Sequence, residues 1–122
     1  MGAVVLAAVA VAASTASAVD DPVRARLTAG ERAVVEVTIA PGWHVNSHAP
    51  RDEFLIPTSV TLTPPPGVKA GEVEYPAPVE RRLKFGGDKT FQLYEGTVRL
   101  TAPLDGTPAP GGPPLRATLR YQ

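Results

Sequence analysis

Fourteen prolines are spread along the chain from Pro22 to Pro114, about twice the roughly 5% usual in proteins. Each fixes φ near −65° and lacks an N–H, so helix interiors and central strands exclude it. A chain punctuated in this way is built of short strands turning at ordered corners. The runs between the corners agree, because they alternate with period two. Val23, Ala25 and Leu27 are separated by Arg24 and Arg26. Val35, Val37 and Ile39 share one face of "AVVEVTIA", and Val60 and Leu62 share one face of "IPTSVTLTPPPG". "GEVEYPAPVE" reads as a short strand with Val73 and Tyr75 on one side. "RRLKFGGDKTFQLYEGTVRLTAPL" reads as a loop or hairpin around Gly86-Gly87, then a longer strand through Tyr94, Val98 and Leu100. The chain ends on "LRATLRY", in which Leu115, Ala117, Leu119 and Tyr121 alternate with Arg116, Thr118 and Arg120. This predicts one all-β domain of about seven strands, packed as two antiparallel sheets.

The first stretch, "GAVVLAAVAVAASTASA", is apolar, then small and polar, and carries no charge. Ala16-Ser17-Ala18 has the small-x-small form of a signal-peptidase site, which places cleavage after Ala18. The apolar part, Ala3 to Ala13, is short for a membrane span of about 20 residues. A membrane anchor is the alternative, because no Lys or Arg precedes the apolar run; both readings export the domain. Residues 19–122 then form the β domain, close to the roughly 100 residues of an immunoglobulin-like sandwich.

Twelve Lys and Arg balance twelve Asp and Glu, which gives no basic face for nucleic acid. Cysteine is absent, so these residues hold no disulfide and no thiol nucleophile. His44 and His48 have the i, i+4 spacing of a helical zinc pair. Pro41, Gly42 and Pro50 argue against a helix there, and an extended chain sets the two rings about 13 Å apart. The expectation is therefore no metal and no cofactor. Asp52-Glu53 and Glu72/Glu74 carry nothing that separates them from solvated charges. Trp43, the single tryptophan, reads as a core or rim aromatic. The residues by themselves supply no catalytic set.

Four stretches in order, "PGWHVNSHAP", "IPTSVTLTPPPGVKAGEVEYPAP", "F…YEGTVRL" and "ATLRYQ", resemble the N-terminal domain of the bacterial thiol:disulfide interchange protein DsbD. The resemblance runs from about Val23 to Gln122. It implies an immunoglobulin-like sandwich in the periplasm. Such a domain takes electrons from a membrane-embedded partner domain and passes them to periplasmic oxidoreductases, serving among other processes cytochrome c biogenesis. In the family two cysteines a few residues apart carry the electrons, exchanging through a mixed disulfide, and they follow directly on the strand that ends in Tyr-Gln.

By this resemblance Phe85 is the aromatic of a flap that shields the cysteine pair, and Gly86 and Gly87 let the flap open. His44 and Asn46 match positions beside the cysteines that often carry aromatic hydroxyls, and Tyr94 matches a core aromatic. The chain departs from the pattern in having no cysteine. The sequence thus reads as a fragment truncated at its C-terminus, redox-inert as it stands. The alternative is a non-catalytic periplasmic protein-binding sandwich. A carbohydrate- or metal-binding sandwich is the weakest reading.

Overall fold

A computed structural model of the chain describes residues 2–8, 14–20, 22–82, 89–109 and 111–122. Among them every regular element is a strand: β1 (Gly2–Ala8), β2 (Ser14–Asp20), β3 (Val23–Ala29), β4 (Arg32–Ile39), β5 (Val45–Asn46), β6 (Ser59–Thr63), β7 (Val68–Ala70), β8 (Val79–Arg82), β9 (Thr90–Tyr94), β10 (Thr97–Gly106) and β11 (Leu115–Tyr121). All recorded pairings are antiparallel. The predicted immunoglobulin-like antiparallel sandwich is borne out. One sheet has the order β2-β3-β4-β10-β7, a second β1-β11-β6, and a small third sheet β5-β9-β8.

The alternation read from sequence is what packs the sheets. Val23, Ala25, Leu27 and Ala29 of β3 are buried, as are Ala33, Val35, Val37 and Ile39 of β4. They meet Leu115, Ala117, Leu119 and Tyr121 from β11, with Val60 of β6 and Leu100 of β10, in one continuous core. The intervening residues face water and pair there. Glu36 lies opposite both Arg26 and Arg99 in register, and its carboxylate meets Arg99 at 2.9 Å and Arg26 at 3.7 Å.

Two local readings change. The "GEVEYPAP" segment makes only a single bridge, Glu74 to Thr101, because Pro76 and Pro78 supply no donors to extend a ladder. Val73 and Tyr75 still pack on the core from one side. Trp43 is 59% exposed: the Pro41-Gly42 turn, with Gly42 at φ +83°, carries it out past the end of β4, and Tyr94 is instead the largest fully buried side chain. β1 pairs with β11 from Gly2↔Tyr121 to Ala8↔Leu115, and β2 pairs with β3. The expected cleavage point after Ala18 falls inside β2. Among the described residues no helix is long and apolar enough to cross a membrane.

Candidate functional site

The end of β11, the short β5 and the loop before β6 converge on one side chain, Asn46. β5 is held by β9 through Val45↔Tyr94 and Asn46↔Leu93. The Asn46 backbone N–H donates to the Gln122 carbonyl at 2.9 Å, and its carbonyl accepts the Thr58 hydroxyl at 2.6 Å. Its side-chain amide nitrogen donates to the Ile56 carbonyl at 3.0 Å and to the Gln122 Oε1 at 3.1 Å. That same Oε1 accepts the Ile56 N–H at 2.9 Å. Asn46 is 7% exposed, so these bonds replace the water it has lost. The clasp fixes where the backbone leaves β11 and what surrounds it there.

A second set of bonds stiffens the wall beside the clasp. Ser47 N–H donates to the Gln92 carbonyl and Thr58 N–H to the Ser47 carbonyl. The His48 ring stacks on Tyr75 with centroids 3.5 Å apart and planes 1° apart. Because Thr58 offers a carbonyl, the His48 Nδ1 at 2.9 Å is the donor. The Tyr75 hydroxyl accepts the Val60 N–H at 3.0 Å. Beneath them the Tyr94 hydroxyl donates to the Pro76 carbonyl at 2.8 Å. Burial raises the Tyr94 phenol above its ordinary value of 10.0, partly offset by a bond from the His48 backbone, with Tyr75 adding to the rise.

Next to this wall lies an open groove of about 300 Å³ lined by Arg51, Asp52, Leu55, Lys89, Thr90, Phe91 and Gln92. Gln92 shapes it by accepting the Arg51 N–H at 3.0 Å, and Arg51 meets Glu80 at 2.7 Å. In the chain between Asp52 and Leu55 of the groove, Phe54 is 85% exposed, and Asp52 Oδ1 accepts its N–H.

Of the residues expected at the site, Asn46 is brought against the end of β11. His44, half-buried just before β5, has no hydrogen-bond partner there among the described residues. Phe85, Gly86 and Gly87 lie outside the described residues, between β8 and Lys89 at the groove. His48, the other candidate ligand, instead faces Thr58 and Tyr75. Among the described residues no three His, Asp or Glu side chains gather where a metal could sit. Sequence reading missed Ile56, Thr58 and Gln92, since their roles arise from backbone and side-chain groups that only the fold brings together.

No curated protein and no solved structure gave a significant match to the chain. The family model described as "Thiol:disulfide interchange protein DsbD, N-terminal" matches residues 14–122. That span contains β2 to β11 and every residue of the clasp and groove. The chain therefore belongs to the family of DsbD N-terminal domains, whose business is thiol:disulfide interchange.

Proposed function

We propose that this chain is the scaffold of a periplasmic electron-relay domain whose working cysteines are encoded just after Gln122. The family membership over residues 14–122 carries the reading, and the anchoring of Gln122 by Asn46 and Ile56 supports it. A redox pair following Gln122 would emerge beside Asn46 and Ile56, which bond Gln122. In the relay a thiolate of the reduced pair attacks a partner's disulfide, forming a mixed disulfide and releasing one partner thiolate. The second cysteine thiolate then attacks the mixed disulfide, leaving the partner as a dithiol and the domain oxidised. The electron donor is a membrane-embedded domain and the acceptors are periplasmic oxidoreductases, cytochrome c biogenesis among their tasks. The 122 residues alone hold no thiol and are redox-inert. Residues 1–18 act as the export leader or anchor, and residues 19–122 form the domain. Phe85 caps the pair on a flap hinged at Gly86 and Gly87, with His44 lining its edge.

The test uses the gene product that includes the residues after Gln122. Reduced, it should form a mixed disulfide with an oxidised thioredoxin-like protein, and Phe85→Ala should speed alkylation of its thiols several-fold. Absence of exchange would overturn the relay, and an unchanged alkylation rate would remove the cap.

A second reading, a non-catalytic protein-binding sandwich, draws on exposed Phe54 beside the groove. It predicts partner capture that survives replacement of every cysteine.

A further inference from the structure

The loop that joins β5 to β6 is closed at its neck. The Thr58 N–H donates to the Ser47 carbonyl at 3.1 Å, the Thr58 hydroxyl to the Asn46 carbonyl at 2.6 Å, and His48 Nδ1 to the Thr58 carbonyl at 2.9 Å. Further out, the Arg51 N–H donates to Gln92 Oε1, and Ile56 is bonded by Asn46 and Gln122. Between these anchors Asp52 to Leu55 form a tight turn. The Leu55 N–H donates to the Asp52 carbonyl at 3.1 Å, and the Phe54 N–H to Asp52 Oδ1 at 2.9 Å. Glu53 and Phe54 are the central residues of that turn, and both are exposed. An aromatic ring is thus held in water on a backbone fixed from both sides, which lowers the ordering cost of binding through it.

The outer residues of the turn, Asp52 and Leu55, line the groove of about 300 Å³ together with Arg51, Lys89 and Phe91. A cavity of about 150 Å³ already admits benzene, so the groove has room for a phenyl ring. At 85% exposure, Phe54 does not place its own ring there. Among the described residues Glu53 meets no cation and Lys89 no carboxylate, whereas Arg51 is paired with Glu80. One face therefore carries an open groove, an uncovered ring, a lone cation and a lone anion. Each has its complement on that same face, and within one chain they do not meet. Such a face is self-complementary, as a twofold interface requires.

We propose that this face binds a second copy of the chain. In the twofold dimer Phe54 of each copy enters the groove of the other, against Leu55 and Phe91, and Glu53 meets Lys89 across the interface. This rests on the second reading above, that Phe54 and the groove are a protein-binding surface, and it needs no thiol. Two phenylalanines bury about 300–500 Å², a minority of the roughly 1,200 Å² of a stable interface. The dimer is therefore reversible and forms at high concentration.

Sedimentation equilibrium of the 122-residue chain, from about 1 μM to about 1 mM, should show monomer and dimer in exchange. Phe54→Ser should weaken the dimer at least about thirtyfold. Glu53→Lys and Lys89→Glu should each weaken it, because each sets like charges opposite one another. The two changes together should restore it, because the ion pair is rebuilt with its signs exchanged. A chain monomeric throughout, a dimer indifferent to Phe54→Ser, or a double variant no tighter than the single ones would overturn the proposal. Capture of other proteins reads the second reading separately. A monomeric chain that holds another protein through Phe54 would sink the dimer alone; a monomeric chain that holds none would sink that reading with it.

Discussion

At Asn46 a single amide nitrogen bridges two acceptors, one on the loop before β6 and one on Gln122, just after β11. Asn46→Ala removes both bonds and strands the Ile56 carbonyl, which predicts a loss of about 1–3 kcal/mol. Asn46→Asp should cost at least as much, because a carboxylate cannot donate and would face two oxygens. Urea unfolding of the three proteins checks the order. Tyr94 makes a second prediction at this scale. Its phenol is raised by burial, so the folded state holds the proton more tightly than the unfolded chain does. Its contribution is whole below about pH 10, the unfolded value, and is lost as the pH climbs from there through the folded value. Tyr94→Phe should flatten the alkaline loss of stability; equally steep profiles for both proteins would refute the assignment. Burial of Tyr94 was legible through the resemblance, although it closes β9 after buried Gln92 and Leu93 rather than sharing one strand with Val98 and Leu100. The Asn46 clasp was not, because nothing in "HVNS" shows that Gln122 lies beside it.

At the scale of elements, β10 carries two jobs. Thr97 to Pro103 pair with β4, and Leu104 to Gly106 then cross to β7. The crossing is tight. Gly106 at φ +94° packs against the backbone of Gly67, itself at φ +89°, and a Cβ on Gly106 would strike the Gly67 carbonyl. Gly106→Ala should therefore cost about 1–3 kcal/mol through backbone strain, read as a lower urea midpoint. Gly30→Ala serves as the control, since a Cβ there meets nothing within 4 Å. β3, β4 and β11 could be read from sequence because each has one face in the core and one in water. The bridge at Glu74 and the strands β1 and β2 could not. The first depends on which backbone donors the prolines leave, and the others on edges that only the assembled sheets present.

For the whole molecule, two sheets share one core, so an injury in either should unfold both together. Leu119, fully buried in β11, should cost about 2–5 kcal/mol when cut to Ala. The loss should appear in one cooperative transition. The sandwich was legible in the proline spacing and the alternating runs, and the family in the order of its four stretches. The chemistry was not, because a thiol relay needs cysteine and these 122 residues contain none. What the fold contributes is a Gln122 held in place by Asn46 and Ile56. The most direct measurement is to sequence the gene past the codon for Gln122 and count the reactive thiols of the product. Two cysteines a few residues apart, forming a reversible disulfide, are the predicted result. A stop codon after Gln122, or a continuing frame without cysteine, would contradict the relay.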